Sequence, residues 1–412
     1  MHHRFLSAIH LVSVLLVLTH AAYTQAFLVL HTFEGSDGSS PGALVKDSGG
    51  NLYGTAAAGG INNCSTFGCG TVFKLSPSQS GFSFAILYQF KSEADGWNPA
   101  APLTIASGGT FYGATTDGGL EGGGGTVFRL SPICADPGCK QRFWAKNTLY
   151  RFAQCNGAGT NGGLVLDKSG NIYGTTVASC SRRGQVYKLS PAQGLQNNWT
   201  ETTVHAFAGA PGDGEWILDT LLIDSSGSLY GASFSGGSYG VGTIYRLNQQ
   251  GNSWKEDLLY QFSGLDFIHP VNSLISDSSG SLYGVTYGDQ QPSIAFKLTR
   301  VGGSWEFDLL YTFLPGQAQM LTSGLVMDPA GNLYGVGEGG ANGYGAVYKL
   351  TSTPNGWSYS TLHDFTNGSD GSSPAGPLVL DANGNLYGSS SAGSDLNCKH
   401  GGGCGTVWML KP

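Results

Sequence analysis

Charge is scarce in this chain. Asp, Glu, Lys and Arg together make up 11% of 412 residues, and the net charge is −7. No run of Lys and Arg occurs, so the electrostatic footprint of a nucleic-acid binder is missing and that class of partner is excluded. A disordered chain would be charged and poor in aromatics; with 19 Tyr and 20 Phe this one is neither. No segment carries the i, i+3, i+4 periodicity of an amphipathic helix. No hydrophobic run past residue 18 approaches the roughly 20 residues a membrane span needs. Cys-x-x-Cys pairs, a Gly-x-Ser-x-Gly elbow and a phosphate loop are all missing. So is a dense Asp-x-Asp-x-Asp loop, and calcium needs about six to eight oxygens. No metal and no cofactor is therefore expected.

What the chain has in abundance is glycine, 66 residues of it, and internal repetition. The block Asn51-Leu-Tyr-Gly-Thr55 recurs, its tyrosine standing at 53, 112, 173, 230, 283, 334 and 387. Gly70-Thr-Val-Phe-Lys-Leu75 recurs with its leucine at 130, 189, 247, 298, 350 and 410. Leu87-Tyr-Gln-Phe90 recurs with its phenylalanine at 152, 207, 262, 313 and 365. An apolar block such as Leu44-Val-Lys-Asp47 precedes each tyrosine block, usually ending in Asp. Each block is rich in β-branched and aromatic residues and bounded by Gly, Ser, Pro or Asn, the mark of a strand. In chain order the four strands of a unit are a, b, c and d. The a–b link, Asp-x-x-Gly-Asn/Ser, is a tight hairpin in which Gly supplies positive φ and Asp bonds the turn backbone.

Seven units of four antiparallel strands predict an all-β fold, a seven-bladed β-propeller, since radial closure leaves only short, protected edges. The chain opens with a d-type block, Leu30-His-Thr-Phe33, and ends with a c-type block finishing at Leu410. Segment 27–33 is thus expected to pair with the last blade and close the ring. The repeats run over approximately 41–90, 99–152, 161–207, 216–262, 270–313, 321–365 and 374–411 within one domain, 27–412. Two units depart from the pattern. Ile105-Ala-Ser107 lacks the hairpin Asp, and Ser293 replaces the leading Gly of the fifth c block.

Residues 1–26 are expected to be a secretory signal: His2, His3 and Arg4, an apolar stretch from Phe5 to Leu18, then small residues at Ala22 and Ala26. Eight cysteines in an exported chain imply disulfides. Cys64 and Cys69, Cys134 and Cys139, and Cys398 and Cys404 are close pairs, which leaves Cys155 with Cys180. Zinc is the competing reading, against which stand the lack of Cys-x-x-Cys and the scatter over different repeats.

Asn-Leu-Tyr-Gly-Thr, then Gly-Gly, then Gly-Thr-Val-Phe-Lys-Leu resembles the GloVer tandem repeat of bacterial exported proteins, many of which carry a C-terminal anchoring signal. The resemblance covers nearly all of 27–412 and implies export; it supplies no catalytic residues and no molecular role. This chain ends at Pro412 just after the last strand, so a secreted or periplasmic form is expected more than a surface-anchored one.

The b–c and d–a loops share one face of such a ring and are its variable, glycine-rich side. Asp37, Asp95, Asp213 and Asp370 recur in the d–a loops there, with Trp97 and Trp216 in or beside them. The carboxylates could accept hydrogen bonds from sugar hydroxyls, and exposed Trp stacks on sugar faces; against this, Asp-Gly is good turn chemistry and both Trp could pack between blades. The seven b-block tyrosines are framework, since a site needs an asymmetric constellation. His31, His205 and His363 take the place of Tyr88, Tyr150, Tyr260 and Tyr311 in the d block; His269 and His400 fall outside the pattern. The expected role is a monomeric, non-catalytic binding or structural module contacting carbohydrate or another envelope protein. The alternative is a polysaccharide hydrolase or lyase at the channel mouth. A cluster of non-repeat His, Glu, Tyr and Arg there would favour it, with Glu121, Arg182, Arg183 and His400 the residues to place, whereas an even Gly/Ser lining would favour the binder.

Overall fold

A computed structural model describes residues 26–119, 123–134, 142–153, 159–160, 162–177, 183–191, 199–218, 220–263, 269–288, 291–321, 323–394, 398 and 402–411. The described chain forms seven four-stranded antiparallel blades. The first runs a Ser39–Lys46, b Leu52–Ala58, c Thr71–Ser78 and d Gly81–Gln89. The last has a Ser372–Leu380, b Leu386–Ala392 and c Thr406–Lys411, and its d strand is Ala26–Thr32. Phe27 opposes Leu410 and Thr32 opposes Thr406 in that pairing. The ring is therefore closed by the first strand of the domain, as the repeat order predicts.

Each blade buries itself against two neighbours. The b strand is covered on both faces, so Leu52-Tyr-Gly-Thr55 is buried throughout, whereas the outer d strand alternates exposed and half-buried residues. This is why the b blocks read as continuous apolar runs while the d blocks alternate. The core lies in layers between adjacent blades, and one layer joins Leu52 and Phe73 of the first blade to Phe33, Tyr387 and Val407 of the last. The phenylalanine ending each d block is at most 2% exposed in all seven units. Each such ring contributes about 1.5–3 kcal/mol by burial.

Close packing explains the glycine of Leu-Tyr-Gly. A Cβ at Gly54 would stand 2.5 Å from Phe73, and one at Gly231 2.4 Å from Tyr245. The other five blades repeat this clash with the c-strand aromatic. Every c–d pairing also contains a bulge, which in the first blade skips Leu87 between the Val72–Tyr88 and Phe73–Ile86 pairs. A bulge re-aims the residue that follows it, here the His or Tyr of the d block. That residue meets the next blade: His31 stacks on Phe84 at 3.7 Å, Tyr260 on Phe307 at 4.5 Å and Tyr311 on Tyr359 at 5.7 Å.

The hairpin aspartates do what the pattern predicts and one thing more. Asp47 accepts from the Asn51 backbone N–H at 2.9 Å and from the Asn51 side chain at 2.8 Å. It also accepts from the Tyr53 hydroxyl at 3.0 Å, so the b-block tyrosine is a core ring whose polar tip is spent on the hairpin. The second blade, lacking Asp, closes the same link through the Ala106 N–H to the Thr110 carbonyl at 2.8 Å. Cys64 pairs with Cys69, and Cys398 with Cys404. Cys134 is also disulfide-bonded; its expected partner Cys139, and Cys155 with Cys180, lie outside the described residues. Among the described residues no helix is long and apolar enough to cross a membrane.

Candidate functional site

The d–a loops carry the rim aspartates, and in the five loops where this position is described its acceptor is committed internally. The Asp37 carboxylate accepts from His31 at 2.8 Å and from the Glu34 N–H at 2.9 Å. Asp95 accepts from Tyr88 at 2.8 Å, from the Lys91 N–H at 3.1 Å and from Lys146 of the next blade at 2.8 Å. Asp370 accepts from His363 at 3.1 Å and from the Thr366 N–H at 3.0 Å. Gln317 takes the same place in the fifth unit, accepting from Tyr311 and from the Leu314 N–H. Asp213 accepts from the Ala208 and Gly214 N–H groups at 2.6 Å each, with His205 at 3.6 Å. These side chains tie the end of each d strand to the turn that follows it.

Further toward the centre, each d–a loop enters its blade through one residue in the left-handed region. The seven are Ser40, Asn98, Gly159, Trp216, His269, Met320 and Ser373, with φ between 40° and 75°. The backbone holds this conformation from both sides. The Trp216 N–H reaches the Arg183 carbonyl of the preceding blade at 3.0 Å, and the Trp216 carbonyl accepts from Phe234 at 3.0 Å; His269 makes the same pair with Val241 and Tyr287. In six blades the residue opposite is the fourth after the b-block tyrosine, namely Ala57, Thr116, Val177, Phe234, Tyr287 and Ser391; in the sixth that place, Glu338, opposes Gln319, next to Met320.

These two rings are not uniform. In the first, second, third and seventh blades the pairs are Ser40/Ala57, Asn98/Thr116, Gly159/Val177 and Ser373/Ser391. In the fourth and fifth they are Trp216/Phe234 and His269/Tyr287, and the sixth brings Met320 and Glu338 to the rim one step out of register. The large side chains touch. Trp216 stacks on Phe234 with centroids 6.3 Å apart, Phe234 stacks on His269 at 4.2 Å, and Tyr287 lies 6.1 Å from Phe234. The Tyr287 hydroxyl meets the Met320 sulfur at 3.7 Å. His269 Nδ1–H donates to the Phe234 carbonyl at 2.7 Å, which fixes the tautomer and leaves Nε2 as an acceptor. Trp216 is 51% exposed and Met320 38%. Burial lifts the Glu338 carboxyl above its usual range, against a hydrogen bond donated by Ser373. Three neighbouring blades thus present a half-open aromatic crescent at the channel mouth, while the rest of the rim carries small side chains without an aromatic ring.

The neck beneath is narrow and bland. A cavity of about 310 Å³ is lined by Pro41, Gly42, Ala100, Pro102, Ala375 and Gly376 among others, with Ser40, Ala57 and Ser391 at its edge. The inner strands approach so closely that a Cβ at Gly376 would sit 2.6 Å from Ala43.

Sequence reasoning treats Trp97 and Trp216 alike; the structure separates them. Trp97 packs half-buried with Phe90, Phe111 and Cys64 between the first two blades. One extra residue in Asp213-Gly-Glu-Trp216 moves its Trp to the left-handed rim position that Asn98 holds after Asp95-Gly-Trp97. Arg183 pairs with Glu215 at 2.6 Å; Glu121, Arg182 and His400 lie outside the described residues. Phe234, Tyr287 and Met320 are missed by motif reading. A count of four from each b-block tyrosine would have exposed the first two.

The fold and rim define a class: a closed, seven-unit tandem-repeat propeller with an asymmetric mouth. Within that class the chain belongs to the Gloeobacter/Verrucomicrobia repeat family, which matches residues 16–215 and 147–293, well over half of its length. No curated protein matches it. Among solved structures, a Lactobacillus plantarum protein aligns at 12% identity and TM-score 0.51, covering 83% of this chain and 95% of its own. A Bacteroides uniformis protein assigned as a 6-phosphogluconolactonase aligns at 12% identity and TM-score 0.50, covering 82% and 95%. At that identity these two share the fold alone.

Proposed function

We propose that this chain is an exported, non-catalytic binding propeller that recognises carbohydrate through the crescent Trp216, Phe234, His269, Tyr287 and Met320. The observation that carries this reading is the asymmetry of the rim. Left-handed backbone costs a non-glycine residue about 1–3 kcal/mol and persists where the surroundings impose it, often at functional sites. The second and third blades meet that demand with Asn and Gly, residues that tolerate it; the fourth and sixth meet it with Trp and Met, which gain nothing locally from it. Exposed aromatic rings beside hydrogen-bonding groups offer a sugar what it needs: apolar faces for its C–H side and, in His269 Nε2 and Glu338, acceptors for its hydroxyls. The small residues of the neck leave the crescent as the adhesive part of the mouth. Export is supported by the disulfides and by the signal-like segment 1–26.

The test is a glycan array on the untagged protein with Trp216→Asn beside it, Asn being the residue at the equivalent position 98. The wild type should bind a defined oligosaccharide class and the variant at least tenfold less, with thermal stability held. Trp97→Ala should instead lower stability and leave binding alone. A silent array would remove carbohydrate as the ligand and turn the search to protein partners of the envelope. Glu338, a half-buried carboxyl, shares the rim with His269 and Tyr287, and this non-repeat cluster is the feature that favours a polysaccharide-cleaving enzyme. Turnover of a polysaccharide panel by the pure protein, abolished in Glu338→Gln, would replace the binding reading with that one.

A further inference from the structure

The seven blade-to-blade contacts at the outer edge are internal controls for one another. At each, the His or Tyr that follows the d-strand bulge meets the residue of the next d strand that opposes the final leucine of its c block. Those facing residues are Phe84, Lys146, Glu201, Glu256, Phe307, Tyr359 and, from the closing strand, Phe27. Three contacts use His. In two of them the ring stacks on Phe: His31 on Phe84 at 3.7 Å and His363 on Phe27 at 3.8 Å. In both, Nε2–H also donates to the loop aspartate, at 2.8 and 3.1 Å.

The third departs in every respect. Between the third and fourth blades His205 faces Glu256 in place of Phe. Nε2 stands 3.5 Å from Glu256 Oε2 and 3.6 Å from Asp213 Oδ1, beyond a hydrogen bond to either. Nε2 and Glu256 Oε1 are buried atoms with no hydrogen-bond partner. One atom from each of the three side chains lies within 4.8 Å of the others, the only such trio of His, Cys or carboxylate groups among the described residues.

We infer that His205, Asp213 and Glu256 form a binding site for a single divalent transition-metal ion of the zinc type, clamping the third blade to the fourth. The spacing fits: ligands about 2.0–2.1 Å from a tetrahedral zinc stand about 3.4 Å apart, against 3.5 and 3.6 Å here. The donor set fits, since one imidazole nitrogen with two carboxylates suits zinc better than the all-oxygen shells of calcium or magnesium. The charge fits, because a neutral His and two carboxylates offset two positive charges. The ligands are also oriented from behind. The Ala208 and Gly214 N–H groups fix Asp213 at 2.6 Å each, and the His205 ring stands edge-on to Phe207 at 4.6 Å. Side-chain exposures of 15–21% leave a path for the ion and for a completing water. Without a cation, burial and the neighbouring Asp213 push the Glu256 carboxyl up to about 7, against the opposing effect of His205.

The experiment is isothermal titration of the untagged, EDTA-treated protein with zinc chloride, alongside thermal unfolding with and without zinc. The comparison variant is Glu256→Phe, which rebuilds this contact as a copy of the two His–Phe stacks. One zinc should bind per chain and raise the melting temperature, and the variant should fold, bind at least tenfold more weakly and lose the shift. Glu256→Gln, nearly isosteric, should weaken binding as much and stands in if the Phe variant fails to fold. Zinc binding equal in wild type and folded variant would overturn the site. So would no uptake at all; stability that then tracks pH near 7 in the wild type but not in Glu256→Gln would assign the cluster to a shared proton.

Discussion

At the scale of single residues, this protein separates what repeats from what does not. The glycine of Leu-Tyr-Gly is needed because the c-strand aromatic stands where a Cβ would be: 2.4 Å away at Gly231, with the Tyr245 ring buried behind it. Gly231→Ala should therefore cost about 1–3 kcal/mol through overpacking, seen as a lower urea midpoint with an unchanged slope. Such residues are legible in the sequence because they recur. The rim residues are legible only once position is counted from a fixed mark. Asp95-Gly-Trp97 and Asp213-Gly-Glu-Trp216 look alike as motifs, yet one inserted Glu exchanges a packed Trp for an exposed one. The rim aspartates show the limit from the other side. Their recurrence is visible, but that His31, Tyr88, the loop N–H groups and Lys146 occupy them depends on a d-strand bulge that no residue type announces.

At the scale of the element, the a–b hairpin is the most regular device in the chain. Burial works against ionisation of Asp47, Asp167, Asp224, Asp277, Asp328 and Asp381. The hydrogen bonds from the turn and from the b-strand tyrosine outweigh it, leaving all six below the usual carboxylate value. A carboxylate whose value is lowered by folding stabilises the fold above its unfolded value, about 3.9, and that contribution is lost as pH falls through the folded one. The hairpins should thus contribute fully above about pH 5 and lose that contribution below about pH 4, seen as a steep acid drop in melting temperature. In Asp277→Asn/Asp328→Asn stability near neutral pH should be lower and the acid drop shallower, since two of the groups no longer titrate. An acid limb of unchanged steepness would show that the hairpins are not its source. The two irregular units hold the pattern by other means. The second closes its hairpin through backbone alone, and in the fifth Ser293 accepts from Phe313 at 2.9 Å just as Gly70 accepts from Phe90 at 3.1 Å.

At the scale of the whole molecule, closure rests on the strand Ala26–Thr32. It supplies the outer rung of the last blade and also reaches both neighbours, since Phe27 packs on His363 and Trp408 and His31 stacks on Phe84. Deleting residues 26–32 would expose an edge and open the layer between the first and last blades. The expected outcome is a large loss of thermal stability with aggregation, and an unchanged melting curve in the deletion would show that the ring does not depend on it. Blade number and closure could be read from the sequence because both are bookkeeping of strand types. The crescent and the His205 cluster could not, because each is assembled from different units and is visible only where neighbouring blades meet.

That closing strand also sets an order in time. It leaves the ribosome before any complete blade, yet its partner, Thr406–Lys411, is the last strand to be made. The first-made segment must wait, unpaired, for the final one. A ring cut short before that strand would carry two open edges and none of the clasp between first and last blades, so sealing of the circle certifies that every blade has been made.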